Sequence, residues 1–254
     1  MNNKNIDSGR SFDFGKTAQA YSLYRDIYPD ELYNKLRERG VAADGTSWLD
    51  LGTGTGVLPS NLYNPKARIT GVDISQEQIS FARSAALKNN MNINYSVSPA
   101  EETGLPDDAF DVITAAQCFW YFDREKMRSE IGRMIKPGGM FIKIFMNWDF
   151  DDPIASKSIM LVKKHNSFWS SGRNADADMY DDIFPHRHTE VFRAEILFTR
   201  ESWHGRMCAC RGTLASMDEA AFNAWEAEHI SFVNTCPDEF KVSHDVYISY
   251  FIIE

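Results

Sequence analysis

The sequence predicts an α/β fold, a doubly wound and mostly parallel sheet with helical additions, and three observations carry that prediction. Trp48-Leu-Asp-Leu-Gly-Thr-Gly-Thr-Gly56 runs an apolar strand into three glycines at alternate positions, Gly52, Gly54 and Gly56, and a helix-compatible stretch begins at Val57. A second apolar strand ends in Thr70-Gly-Val-Asp73, which places an acid at its tip. Strand and helix patterns then alternate as far as residue 146, the rhythm of parallel strands joined by right-handed crossovers.

Taken in order, residues 1–10 are polar and read as disordered. Residues 16–39 carry two helical segments broken by Pro29, with Tyr21, Tyr24 and Tyr28 at helical spacing. The first strand spans about 46–51, its helix about 57–63, and the second strand about 68–73. Ser75 caps the next helix, which runs to about Asn89, with Gln78 placed to complete a capping box. The third strand is predicted at about 92–97 and the fourth at Phe110–Ala116. A helix from about Arg124 to Ile135 should stop at Lys136-Pro-Gly-Gly, ahead of a fifth strand over Met140–Met146.

After Asn147 the rhythm breaks. Residues 150–188 read as helical and then as rich in Asp, Ser and His. A strand follows at 190–198, helices at about 200–210 and 218–233, and a strand-like run at Val242–Ile253. The expected organisation is an N-terminal helical lid (1–45), a core (46–149), a helical cap (150–188 and 200–235) and closing antiparallel edge strands (189–199 and 240–254). The cap should lie over the carboxyl ends of the strands, where doubly wound folds bind ligands.

The chain has 254 residues, of which 43% are hydrophobic, enough to bury a full core. With 27 basic and 36 acidic residues its formal charge is −9, and no polybasic run appears. Tight nonspecific binding to nucleic acid or to an anionic membrane needs Lys and Arg against phosphate and is disfavoured. Cys118, Cys208, Cys210 and Cys236 match no zinc or redox spacing and read as reduced thiols of a cytoplasmic protein. The N-terminus lacks the apolar stretch of a signal peptide, and no apolar run reaches membrane-spanning length.

Chemistry concentrates at the glycine turn. Strand, glycine turn, helix and acid-ended strand make a nucleoside-binding half-sheet, in which the glycines allow close backbone approach and the acid accepts from ribose hydroxyls. A dinucleotide site wants G-x-G-x-x-G. Counted from Gly52 the third glycine falls on Val57, and counted from Gly54 it falls on Pro59, so neither register fits.

The pattern Asp50-Leu-Gly-x-Gly-x-Gly instead resembles motif I of the class I S-adenosylmethionine-dependent methyltransferases. Gly71-Val-Asp-Ile-Ser resembles their acidic strand end. Ser98-Pro-Ala-Glu-Glu-Thr-Gly-Leu-Pro-Asp-Asp-Ala-Phe-Asp resembles their A-E-x-L-P-x-x-x-F-D segment, with one extra residue before Leu105. Ala115-Ala-Gln-Cys-Phe-Trp-Tyr-Phe-Asp resembles the fourth-strand exit A-x-x-F-H-W-F-D. Within that superfamily the chain is most similar to the small-molecule branch of ubiquinone/menaquinone-type and trans-aconitate-type enzymes. Looser likenesses to the trans-aconitate type lie in Leu197-Phe-Thr-Arg-Glu-Ser-Trp-His-Gly-Arg-Met and in Tyr24-Arg-Asp-Ile-Tyr-Pro.

The resemblance implies a seven-stranded sheet, S-adenosylmethionine as cofactor and transfer of its methyl to a small molecule by in-line displacement. It implies that Gly52 and Gly54 seat the methionine part, Asp73 takes the ribose hydroxyls, Ile74 packs on adenine, Ala100 and Glu101 meet the adenine edge, and Gln117 lies beside the methionine part. Asp50 either orients the amino group or is a structural turn acid, and Glu101 is alternatively a surface acid. Arg25 either meets the methionine carboxylate or is a surface charge, while Tyr21 is a candidate near the reaction or a core residue.

A general base is needed only where the acceptor keeps its proton at neutral pH. His186, His188 and His204 are candidates. Trp120, Tyr121 and Trp203 are candidates for an apolar acceptor pocket, and Arg206, with Arg187, for holding an anionic acceptor. Trp120 stands where the family often has histidine, which suggests a more aromatic site. No resident metal is expected: His186-x-His188 beside Asp181 and Asp182 fits no defensible spacing. The competing readings are RNA methylation, opposed by the absence of an N/D-P-P-Y/F motif, and cofactor binding without turnover.

Overall fold

The structure is a computed structural model and describes residues 7–10, 12–24, 28–170, 183–185 and 187–253. Its strands are β1 (Ser47–Leu51), β2 (Arg68–Asp73), β3 (Ile93–Val97), β4 (Phe110–Ala116), β5 (Ile135–Trp148), β6 (Arg187–Thr199) and β7 (Glu239–Ile252). The helices are α1 (Ala18–Tyr24), α2 (Asp30–Glu38), α3 (Val57–Asn61), α4 (Gln76–Lys88), α5 (Arg124–Met134), α6 (Pro153–His165), α7 (Arg200–Cys208) and α8 (Glu219–Val233). No helix among the described residues is long and apolar enough to cross a membrane.

The strands form one seven-stranded sheet in the order β3-β2-β1-β4-β5-β7-β6. The pairs β1/β2, β2/β3, β1/β4 and β4/β5 are parallel. Every residue of β1 is buried, as expected of a central parallel strand covered on both faces. The closing strands run in opposite senses: Thr189 bonds Ser249 through their hydroxyls, and Arg193 pairs with Asp245. At the lower end of β5 the Gly138 amide donates to the Ile253 carbonyl and the Ile253 amide to the Gly139 carbonyl. β7 therefore sits between β5 and β6, and β6 and β3 are the two edge strands.

The chain divides into two units. One holds Tyr28–Met146, Ala175–Phe192 and Val246–Glu254, and the other holds Met1–Ile27, Asn147–Asn174 and Arg193–Asp245. In the sheet unit, Leu32, Tyr33 and Leu36 of α2 are buried. Pro29 lies in extended backbone at φ −69° just ahead of α2 and separates it from α1, as the sequence predicts.

In the sheet unit, Leu49, Leu51, Val72, Ile113 and Phe141 meet Met127, Ile131 and Met134 of α5 in one apolar core. Ser75 caps α4 by accepting from the Gln78 amide at 3.3 Å, one half of the expected box. On the other face Tyr95 fills the space above β2: a Cβ on Gly71 would lie 2.7 Å from its ring, and one on Gly56 would strike its hydroxyl. The helix α5 stops at Met134 as expected, but Lys136-Pro-Gly-Gly lies inside the fifth strand rather than ahead of it. Phe110 pairs with Ile135 and Val112 with Met140, so the segment is a bulge that β5 absorbs, with Gly138 at φ +76°.

The other unit is mostly helical. Trp148, Trp203, Trp225, Phe198 and Phe240 form its core with residues of α6, α7 and α8. A full capping box starts α7, with Thr199 and Ser202 exchanging side-chain and backbone bonds. Asp152 caps α6 by accepting from the amides of Ile154 and Ala155, and Pro153 occupies the first turn. All four cysteines are unbridged and buried.

Candidate active site

Strand direction brings the tips of β1, β2 and β4 to one end of the sheet unit. At the tip of β2 the carboxylate of Asp73 accepts from the Gly54 amide and from the Ser75 amide, each at 2.9 Å. The Thr53 amide donates to the Val72 carbonyl at 2.9 Å, so the glycine turn is stitched to β2 by backbone and side chain together. Burial pushes the Asp73 carboxyl up, against the amides of Ser75, Gly54 and Ile74, which hold it down. Ile74, the next residue, is 51% exposed, an apolar face offered to solvent beside the acid.

The turn itself is left-handed at Gly52 (φ +61°), Gly54 (+58°) and Gly56 (+77°). A Cβ on Gly52 would lie 2.7 Å from the Cys118 sulfur, so glycine is required there by both conformation and space. Cys118 is buried and its thiol donates to the Leu51 carbonyl at 3.2 Å. Burial, followed by the carboxylates of Asp50, Asp73 and Glu101, pushes that thiol well above its ordinary range. Asp50 near the end of β1 and Asp73 at the tip of β2 thus place two acids beside the turn.

Asp50 is only 2% exposed. Thr114, its direct partner on β4, donates its hydroxyl to Asp50 Oδ1 at 2.6 Å and accepts the Trp48 indole N–H at 2.9 Å. Burial pushes the Asp50 carboxyl up to about 7 despite the Thr114 bond.

Gln117 leaves β4 with φ +59°, an uncommon conformation for a residue with a Cβ. Its amide donates to the Ile144 carbonyl at 3.0 Å and its side-chain nitrogen to the Met146 carbonyl at 2.5 Å, which fixes the exit of the strand. The chain then forms a short turn in which Trp120 and Tyr121 lie 5.2 Å apart and Trp120 meets Phe145 edge-on at 5.2 Å. Tyr247 of β7 closes this aromatic group, with its ring 6.1 Å from Phe145. Ala100 is buried, and Glu101 accepts from the Asp123 amide at 3.0 Å.

The methyltransferase domain family matches residues 49–143, the span that carries the glycine turn and both acids. A ubiquinone biosynthesis O-methyltransferase of Coxiella burnetii is 30% identical over 156 residues, 59% of this chain and 67% of the relative. The chain belongs to the class I S-adenosylmethionine-dependent methyltransferases.

The methyltransferase is also 28% identical over 182 residues to an uncharacterized methyltransferase of Schizosaccharomyces pombe, covering 70% of this chain and 67% of that one. Among solved structures, one described as a type II methyltransferase of Anaeromyxobacter dehalogenans superposes with a TM-score of 0.59 at 23% identity, covering 89% of this chain and 97% of that one. Haemonchus contortus phosphoethanolamine N-methyltransferase 2, solved with phosphomonomethylethanolamine and S-adenosylhomocysteine, superposes with a TM-score of 0.54 at 17% identity, covering 97% of this chain and 57% of that one. At these identities the likeness is one of fold.

Asp50, Gly52, Gly54, Asp73, Ile74, Ala100, Glu101 and Gln117 of the methyltransferase all lie in the sheet unit, as do Trp120 and Tyr121. The structure does not bring His188 to them. That residue sits at the amino end of β6, stacked on Tyr250 at 6.1 Å, whereas the acids lie at the carboxyl ends. Trp203 is fully buried in the helical unit, donating its indole N–H to Ser158 Oγ at 2.9 Å. Arg206 is buried in the same unit, with its guanidinium 5.0 Å from the Trp148 ring. His204 is also in that unit, bonded to His229. Arg25 and His186 lie outside the described residues, and so does the side chain of Tyr21.

Five residues of the candidate site escaped the sequence reading: Trp48, Thr114, Cys118, Phe145 and Tyr247. Thr114 left a signal, as a hydroxyl in the otherwise apolar run Val112–Ala116. Trp48 shares a strand face with Asp50 by the alternation of β1. Nothing in the pattern of Cys118 or Phe145 sets them apart from core residues.

Proposed function

We propose that this enzyme methylates a small, largely apolar or aromatic acceptor, using S-adenosylmethionine held by the glycine turn and the tips of β1, β2 and β4. The observation that carries the reading is Asp73 at the tip of β2, bonded to the Gly54 amide of a left-handed turn whose positions 52 and 56 require glycine, with Asp50 on the neighbouring strand. A cofactor bearing a sulfonium and an ammonium is cationic, and acids beside the turn suit it. The residues fit the rest of it as well. The Asp73 carboxylate has acceptor capacity beyond its two described amide bonds to offer a ribose, and exposed Ile74 offers a face to a purine.

Bound there, the cofactor supplies a methyl that its sulfonium already makes electrophilic. The protein's part is alignment, worth roughly 7–11 kcal/mol where reactants are held in line. Gln117 fixes the strand exit beside the turn. Asp50, ionised, holds an ammonium, and Thr114 keeps its carboxylate pointed. Trp120, Tyr121, Phe145 and Tyr247 supply an apolar wall for the acceptor and exclude water. An acceptor that is a carboxylate or thiolate needs no base, and a phenol or amine does.

Four buried, unbridged thiols fit a reducing, cytoplasmic compartment, and the net charge of −9 argues against nucleic acid as the acceptor. Calorimetry with S-adenosylmethionine, NADH and ATP side by side tests the cofactor reading, and an acceptor screen with labelled methyl tests turnover. Only the first ligand should bind tightly, and small aromatic acceptors should release S-adenosylhomocysteine. Tight NADH or ATP binding, or label transferred only to RNA, would overturn the reading.

A further inference from the structure

The helical unit carries a cluster that the methyl-transfer reading does not use. His204 and Cys208 stand four residues apart on α7, so they share one helix face. Glu226 of α8 meets them. His204 Nε2 lies 3.5 Å from Cys208 Sγ and 3.8 Å from Glu226 Oε1, and one ligand atom from each of the three falls within 4.8 Å of the others. Around a tetrahedral zinc, with sulfur at about 2.3 Å and nitrogen or oxygen at about 2.0–2.2 Å, neighbouring donors stand about 3.4–3.6 Å apart. The two separations from His204 are already close to that.

A second observation points the same way. His204 Nδ1 is 2.8 Å from His229 Nδ1, so one of these nitrogens carries a proton and the other a lone pair. His229 Nε2 is 3.0 Å from Ser158 Oγ, which also accepts the Trp203 indole N–H at 2.9 Å. One self-consistent arrangement puts the protons on His204 Nδ1 and His229 Nε2. Each then has an acceptor, Ser158 accepts twice, and His204 Nε2 is left with its lone pair facing Cys208 and Glu226. A ring held through one nitrogen while the other faces a cation is the usual outer support of a metal-binding histidine. Trp225 stacks on the His204 ring at 5.5 Å and 12°, which fixes its plane.

We propose that His204, Cys208 and Glu226 form a zinc site that clamps α7 to α8. The donor set of imidazole, thiol and carboxylate favours zinc or cobalt over magnesium or calcium, which prefer oxygen alone. Three protein donors leave the fourth position to water. The Glu226 side chain is 40% exposed, so an ion can enter from solvent. Coordination replaces the Cys208 S–H bond with a sulfur–metal bond, and the proton leaves to solvent. Thiolate and carboxylate together then neutralise the dication.

The test uses the full, tag-free chain stripped with chelator and titrated with Co²⁺ and then Zn²⁺. The expected result is one equivalent of Co²⁺ giving a thiolate-to-cobalt charge-transfer band that Zn²⁺ displaces, with the melting temperature rising in Zn²⁺ and not in Mg²⁺. Cys208→Ser should abolish the band, and Glu226→Gln, a milder change at a partly exposed position, should keep it while weakening affinity by at least about tenfold. Circular dichroism checks that both variants fold. A wild-type chain with no band, a band that survives Cys208→Ser, or full affinity in Glu226→Gln would each overturn the proposal. None of these readouts depends on methyl transfer, so the proposal stands or falls apart from the acceptor reading.

Discussion

Gly54 and Asp73, nineteen residues apart in the chain, are joined by a hydrogen bond of 2.9 Å from the glycine amide to the carboxylate. The acid therefore has two tasks, holding the turn in place and presenting oxygen to a ligand. Asp73→Ala removes both. Its affinity for S-adenosylmethionine should fall by at least about tenfold, since charged hydrogen bonds contribute about 1.5–3 kcal/mol each. Isothermal calorimetry measures it, and normal binding by the variant would mean the cofactor lies elsewhere.

The Asp50 carboxyl gives a pH dependence with a definite sign. Its folded value, about 7, lies above the ordinary 3.8. Between the two, the folded protein keeps a proton that the unfolded chain has lost, so stability falls as pH rises through this window and then levels off. The loss is bounded by roughly 4 kcal/mol. Asp50→Asn should flatten the profile in denaturant titrations. Affinity for a cationic cofactor should run the other way in the wild type, rising with pH to about 7 and then levelling, and the same variant should remove that rise.

Gly52→Ala forces a Cβ into left-handed backbone and against the Cys118 sulfur. A loss of about 1–3 kcal/mol is expected from conformation and contact together. In the double variant Gly52→Ala/Cys118→Ala the sulfur contact is relieved, while the Cβ at 118 still stands 2.9 Å away and the conformational part remains, so chemical denaturation should recover only a portion. Complete recovery would show that neither the backbone nor the remaining Cβ contact carries strain.

Trp120→Ala opens the aromatic group at the exit of β4 without touching the acids. The acceptor KM should rise about tenfold or more, while S-adenosylmethionine affinity stays within about twofold. An unchanged KM across aromatic acceptors would remove Trp120 from the pocket.

Ser158→Ala leaves the buried Trp203 indole and the His229 ring without their shared acceptor. Destabilisation of about 1–3 kcal/mol is expected, read from urea midpoints. A neutral effect would mean that water replaces the hydroxyl.

The alternation of elements, the left-handed turn and the acid at the tip of β2 were legible because each rests on local rules: glycine for positive φ, apolar runs for buried strands, a cap before a helix. Asp50 was legible as a residue but not as a raised acid, because its environment depends on Thr114, brought alongside by register between β1 and β4. Lys136-Pro-Gly-Gly was legible as the end of the helix, which stops at Met134, but not as a bulge of the fifth strand, because that depends on pairing with β4. Trp203 and Arg206 looked like pocket residues from their chemistry. In the structure three-dimensional packing buries both, the indole on Ser158 and the guanidinium over Trp148. His204 and Glu226 lie on separate helices, and no spacing in the chain announces their meeting.

Tyr95 fills the volume that Gly56 and Gly71 leave open, and this ties the evolutionary fates of three positions. A side chain at 71 needs the tyrosine to shrink and the Thr53 hydroxyl, 2.9 Å away, to turn aside, one at 56 meets left-handed backbone as well, and a smaller residue at 95 first opens a void under the turn. Each single step is unfavourable on its own. Sequences descending from this one should keep glycine at 56 and change 71 only together with 95, a case of epistasis written into a single aromatic ring.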